Sequence, residues 1–174
     1  MLISREMNSA LNEQIGHEFG ASLQYVAIAS HFDGDGLPEL AHHFHRQALE
    51  EREHAMRIVK YLVDADAELR IPAIAAPRCD FASAEEAVQL SLEWERTVTK
   101  QITALVDLAI RNNDHITKNF LEWFVNEQLE EMASMDNLLR MVRRAGEQGL
   151  MFVESHLARR LHASQREEEA HAEA

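Results

Sequence analysis

The sequence predicts an all-α protein: an antiparallel four-helix bundle with a long crossover between its second and third helices and a short fifth helix at the C-terminus. Three observations carry this. The 174 residues include only 6 Gly, 3 Pro and 6% aromatics, a composition that favours long helices over sheet. Four segments repeat apolar residues at alternating steps of three and four, the period of one helix face. Residues 67–82 lack that period and contain two of the three prolines, Pro72 and Pro77.

A chain of this length supports one domain with one core, expected over residues 1–161. The acidic tail 162–174 has no apolar pattern and is expected as a solvated helix or a disordered end. The formal charge of -13 disfavours nucleic acid and anionic membranes as partners and favours cations, metal ions included. Cys79 is the single cysteine, which excludes a disulfide framework and a cysteine metal site; it is expected as a buried or half-buried small residue. Met1 to Asn12 is polar and charged, unlike a signal peptide, and no apolar run approaches the roughly 18 residues of a membrane span. A cytoplasmic location is expected.

The first helix is expected from a Ser4 cap to Phe32, with the turn Asp33-Gly34-Asp35-Gly36 ending it. Its core-facing row is Leu11, Ile15, Glu18, Ser22, Tyr25, Ala29, Phe32. The second opens at Leu37-Pro38, with proline in the first turn, and continues to about Asp66 along Leu37, Leu40, Phe44, Gln47, Glu51, His54, Ile58, Tyr61, Ala65. The short turn makes these two a hairpin. The stretch 67–82 is long enough, extended, to run back along a helix of about 43 Å, so the second and third helices are expected to be parallel. The third starts at Ser83, with Glu86 completing a capping box, and reaches about Arg111 along Ala84, Val88, Ser91, Glu95, Val98, Ile102, Leu105, Ala109. The fourth runs from an Asp114 cap to Ala145-Gly146 along Thr117, Leu121, Phe124, Gln128, Glu131, Met135, Leu138, Val142. Leu150 to Leu161 is a shorter amphipathic stretch.

Each of the four rows is interrupted near its midpoint by a carboxylate: Glu18, Glu51, Glu95 and Glu131. Helix centres coincide in a bundle whichever way each helix runs. Four carboxylates, the His54 imidazole and the Gln128 amide therefore fall in one interior layer, where unpaired charges would repel or protonate. Two divalent ions would neutralise them, with Glu51 bridging and His54, three residues on, ligating one ion. Oxygen-rich ligation with one imidazole suits iron or manganese, with zinc a bystander. The competing reading places each Glu on a solvated face with the rows misregistered by one residue, and it requires four coincidences at one depth. His42, His43 and His45 read as a polar first turn more readily than as a metal entry patch. Met132, Met135 and Met141 read as packing. Tyr25 and Trp123 lie within about two turns of the layer, where core packing and electron donation are both open.

These residues resemble a bacterial non-haem ferritin, a member of the ferritin-like di-iron carboxylate family. The matching stretches are Asn12-Glu13-Gln14-Ile15 with Glu18, Glu50-Glu51-Arg52-Glu53-His54-Ala55, Trp94-Glu95-Arg96, Asn119-Phe120-Leu121-Glu122-Trp123, and Glu127-Gln128-Leu129-Glu130-Glu131. The resemblance implies that Glu18, Glu51 and His54 hold one iron, that Glu51, Glu95 and Glu131 with Gln128 nearby hold a second, and that Glu50, Glu127 and Glu130 hold a third. It implies a ferroxidase that oxidises Fe(II) with dioxygen or hydrogen peroxide and stores ferric mineral in a hollow homo-oligomeric cage of two dozen chains, with the fifth helix at the fourfold axis. The chain departs from the bacterioferritin branch, which places a haem-ligating Met after the bridging Glu and has a second Glu-x-x-His: here stand Arg52, and Glu127 followed by Glu130. No haem is expected. Lys118 and Leu121 replace the acidic pair that animal ferritins place at the threefold entry. The alternative function is a non-storing di-iron or di-manganese oxidase or peroxidase of the same bundle class.

Overall fold

Ser4 starts the first helix, its hydroxyl accepting a hydrogen bond from the Met7 N–H at 3.1 Å. In the computed structural model, which describes the backbone of residues 2–172 and the side chains of residues 2–161, this helix, α1, spans Arg5–Gly34. It overruns the expected end at Phe32 by two residues. Gly36, at φ +74°, then reverses the chain, with the Leu37 N–H donating to the Phe32 carbonyl at 2.9 Å. α2 follows at Pro38–Asp64, α3 at Ala84–Arg111, α4 at His115–Ala145 and α5 at Leu150–Ala172 after a single 3-10 turn. No strand occurs among the described residues.

Two local expectations need correction. Ser83 does cap α3, accepting from the Glu86 N–H at 3.1 Å. The Glu86 carboxylate, however, takes the Ala82 N–H at 2.7 Å rather than that of Ser83, and is held there by Arg78. The fifth helix does not stop at Leu161: its backbone continues unbroken to Ala172, because the segment after Leu161 is rich in helix formers and has no Gly or Pro.

Contacts between chain ends fix the helix directions. The Leu2 N–H donates to the Ala65 carbonyl at 2.9 Å and the Asn112 amide to Ser4 Oγ at 3.1 Å, so the start of α1 lies beside the ends of α2 and α3. At the other pole, Glu154 of α5 accepts from the Glu39 and Leu40 N–H groups, both at 2.9 Å. Glu147 accepts from the Ala84 N–H at 3.1 Å. The first turns of α2 and α3 thus share one pole, and the two helices are parallel to each other and antiparallel to α1. Both carboxylates sit where the helix dipole favours negative charge.

The crossover runs along α1, fastened by two side-chain amides. Asn12 donates to the Glu68 carbonyl at 2.9 Å and accepts from the Arg70 N–H at 2.5 Å. Gln24 donates to the Arg78 carbonyl at 2.8 Å and accepts from the Arg78 N–H at 2.9 Å. The neighbouring Cys79 is exposed, contrary to the buried or half-buried position expected, on a strap whose side chains from 78 to 80 all face solvent. Between the two amides, Gly16 lets the strap lie flush. A Cβ there would stand 2.4 Å from Pro72 Cγ.

The predicted rows are the buried rows. Every residue in them is buried except Ser22 and Tyr61, which are half-buried and whose hydroxyls meet Ala48 O and Thr117 Oγ1, both at 2.6 Å.

Gly16→Ala should lower stability by about 1 kcal/mol: crowding of roughly 1–3 kcal/mol against the rigid proline ring, partly offset by the better helix propensity of alanine. In thermal denaturation this is a fall of about 2–4 °C. A rise would mean that the strap is not in contact with α1 at Pro72.

Candidate metal centre

The apolar interior is divided in two. One cluster takes Ala21 to Phe32 of α1, Leu40 to Ala48 of α2, Ala84 to Leu92 of α3 and Met135 to Val142 of α4. The other takes Met7 to Ile15, Ala55 to Leu62, Val98 to Ala109 and Leu121 to Phe124. The gap falls on Glu18, on Glu51 and His54, on Glu95, and on Gln128 and Glu131, so each helix contributes polar groups to one slab between two apolar blocks. Glu18 and Glu95 are 0% exposed, Glu51 1% and Glu131 7%.

Ionised carboxylates at this depth are costly, and the slab is built to spread that cost. The Gln14 amide donates to Glu18 Oε1 at 2.9 Å. The Tyr25 hydroxyl donates to Glu95 Oε1, and the Gln128 amide to Glu95 Oε2 at 3.1 Å. Gln47 donates to Glu50 and, at 3.4 Å, to Glu131 Oε1. His54 Nδ1 lies 3.3 Å from Glu51 Oε2, and its ring meets Trp123 edge-on at 5.4 Å between centroids. The Arg57 guanidinium lies over that indole at 3.8 Å from its centroid.

Even so, the carboxyl groups are not at ease as anions. Burial, then the charge of Glu51, raises Glu18 well above the usual carboxylate range. Burial and the neighbouring Glu95 do the same to Glu51. Glu95 is raised by burial against the pull of the Tyr25 and Gln128 hydrogen bonds. Burial, followed by Glu95 and Glu50, pushes Glu131 up to about 8. Burial and Glu95 push the Tyr25 phenol well up too. Glu18 and Glu51 bring carboxylate oxygens within 4.8 Å of each other, so neither is eased by the other's charge.

Two groups of ligand atoms converge within 4.8 Å: Glu18, Glu51 and His54, and separately His54, Glu127 and Glu131. The first is the trio expected from the sequence. The second brings in half-buried Glu127 and leaves out Glu95, whose two oxygens are drawn to Tyr25 and Gln128. Glu50 is exposed beside Gln47, and Glu130 is exposed on α4. The buried atoms Glu18 Oε2 and Gln47 Oε1 have no hydrogen-bond partner, and buried oxygens of this kind normally have one. A cation facing Glu18 and Glu51 satisfies the first. Gln14 and Gln47 are the residues that sequence reading missed as site residues. Gln47 was a polar intruder in its row, and Gln14 stands four residues before Glu18, a helix neighbour.

Fold and site together define a carboxylate four-helix bundle, an all-α protein organised around a buried cluster of carboxylates and an imidazole, side chains of the kinds that can hold a metal ion. A family model described as a ferritin-like domain matches residues 8–145, and the chain belongs to that family. Ferritin BfrB of Mycolicibacterium smegmatis is 44% identical over 162 residues, covering 93% of this chain and 89% of the relative. Bacterial non-heme ferritin of Staphylococcus aureus is 35% identical over 146 residues, covering 84% and 88%. Among solved structures, the open pore ferritin of Archaeoglobus fulgidus superposes with a TM-score of 0.86 at 34% identity, over 89% of this chain and 96% of that one. No helix among the described residues is long and apolar enough to cross a membrane.

Between pH 4.5 and about 8 the native Glu131 keeps a proton that the unfolded chain has lost, so the metal-free protein loses stability as pH rises through that window. Glu18, Glu51 and Glu95 act in the same direction. Chelator-treated protein should melt at a lower temperature near pH 8 than near pH 6. Redox-silent Zn²⁺ should raise the midpoint more at the higher pH, because ligation displaces those protons. A midpoint that rises with pH in the metal-free protein would contradict the reading of the slab.

Proposed function

We propose that the protein is an iron store with ferroxidase activity: it oxidises Fe(II) to Fe(III) at the slab inside each subunit and deposits ferric mineral in the hollow of a 24-subunit cage. The carrying observation is the slab itself, four buried carboxylates, one from each helix, with His54 beside Glu51. In this reading Glu18, Glu51 and His54 hold one Fe(II), and Glu51, Glu95 and Glu131 hold the second, with Gln128 close by. Glu50, Glu127 and Glu130 form the third station. The place of Glu127 between the buried trio and the exposed acids of α2 and α4 supports this order, since it lets ferric ion step outward. The iron is substrate and cargo, and the protein is cytoplasmic.

Each Fe(II) gives up one electron. Two electrons with two protons reduce dioxygen to hydrogen peroxide, or hydrogen peroxide to two waters. The protons held by the raised carboxyls leave as iron enters, which keeps the loaded slab close to neutral. The amides of Gln14 and Gln128 hold one oxygen each, of Glu18 and Glu95, and that of Gln47 reaches both Glu50 and Glu131. Tyr25 holds Glu95 through its hydroxyl and is the residue placed to supply an electron, while Trp123, packed on His54 and covered by Arg57, is the outer aromatic neighbour. Such positioning groups typically matter by about 10–100-fold.

Glu51→Ala should slow the rapid phase of aerobic Fe(II) oxidation by about 100-fold or more while leaving the assembly size unchanged. Wild-type protein loaded with Fe(II) in air should carry hundreds of irons on a particle of two dozen chains. About two irons per chain on a small oligomer would replace storage with a non-storing di-iron enzyme.

Arg52 follows Glu51 where a haem-ligating methionine would stand, and it is exposed. Protein mixed with haemin and passed through a desalting column should lose the haem. A retained six-coordinate haem spectrum would refute the haem-free assignment.

A further inference from the structure

We propose that a cavity between α2, α4 and α5, about two turns along α2 from the metal slab, is a binding site for a small inorganic oxyanion of the phosphate type. The cavity, about 100 Å³ in volume, is lined by His43 and Arg46 of α2, Ser134 and Asn137 of α4 and Arg160 of α5, with Glu39 as its acidic member. A water takes up about 30 Å³ of liquid, so the space suits a few waters or one compact oxyanion.

The chemistry of the lining selects the ligand. His43 Nε2 is enclosed and has no hydrogen-bond partner. Burial, then the charges of Arg46 and Arg160, with His42 adding to them, holds the ring's pKa down to about 4, so at neutral pH the imidazole is uncharged, and the tautomer protonated at the unpartnered Nε2 is the one that offers an anion its N–H. Two guanidiniums, that N–H, a hydroxyl and an amide face the same space, with Glu39 as the acidic counterweight. On a chain of net charge -13 this is a local reversal. Guanidinium forks match the paired oxygens of a tetrahedral anion, whereas a metal ion would meet two fixed positive charges.

The histidine cluster of the sequence thereby separates into different roles. His45 lies 3.4 Å from Asp33, His42 is exposed at the cavity, and His43 is enclosed within it. An anion here would join three helices. Glu154 already ties α5 to the first turn of α2, and the oxyanion would add a second tie through Arg160.

The site does not rest on the ferroxidase reading, and its test uses iron-free, assembled full-length protein. Inorganic phosphate titrated by calorimetry should bind to the wild type. Arg46→Gln and Arg160→Gln, both exposed and expected to fold, should each weaken binding roughly ten-fold or more, as expected for a lost charged hydrogen bond. Arg140→Gln, whose side chain pairs with Asp136 outside the cavity, should bind as wild type. Phosphate should also raise the His43 titration midpoint followed by NMR, because an anion favours the imidazolium. Glycerol 2-phosphate run in parallel separates the free ion from a phosphomonoester: weaker binding of the ester than of phosphate supports a site for the free ion, and binding of the ester without binding of phosphate would overturn it. Absence of phosphate binding, equal binding in the cavity variants, or an unmoved His43 midpoint would overturn it.

Discussion

Mutual repulsion among buried carboxylates is the constraint to which the rest of this structure answers. At separations of about 4–5 Å and an effective dielectric near 20, each like-charged pair costs roughly 3–4 kcal/mol. That is a large part of the 5–15 kcal/mol by which a typical domain is stable. The slab therefore has two ways to exist, protonated or loaded with cations, and the same groups that raise Glu131 and Glu51 without metal make the site strongly attractive to divalent ions. The apolar blocks on either side keep water from screening the charges, and so sharpen both alternatives.

Geometry follows from that demand. Four helices must bring their midpoints to one level and hold them there, which requires both poles of the bundle to be fastened. One pole is closed by Leu2 against Ala65 and Asn112 against Ser4. The other is closed by Glu147 and Glu154, whose carboxylates take the first N–H groups of α3 and α2. The crossover, clipped to α1 by Asn12 and Gln24 and seated over Gly16, fixes how far α3 is displaced along the bundle. A slip of one turn there would carry Glu95 out of the slab.

Amide side chains do the finer work. Gln14 donates to Glu18, Gln128 to Glu95, and Gln47 to both Glu50 and Glu131; all are neutral donors that hold carboxylate oxygens without cancelling their charge. An arginine or lysine in those places would satisfy the acids permanently and leave nothing for a metal ion. The exposed cations of the region, Arg52 and Arg57, stay on the outer faces, and Arg57 spends its charge over the Trp123 ring.

Much of this was legible in the sequence because helical period, polar interruption and length are local properties. Rows at steps of three and four named the buried residues, and a carboxylate at each midpoint named the slab whatever the direction of the helices. The ferritin-like resemblance rested on those same residues. What tertiary structure alone decided concerns atoms brought from distant parts of the chain. Glu95 turns to Tyr25 and Gln128, and the second set of ligand atoms to converge is that of His54, Glu127 and Glu131. Cys79 faces solvent on a strap that Gln24 clips to α1 through the Arg78 backbone. Glu154 and Glu147 cap helices more than sixty residues away. Which oxygen meets which partner depends on angles and on displacement between helices, and a one-dimensional pattern holds neither.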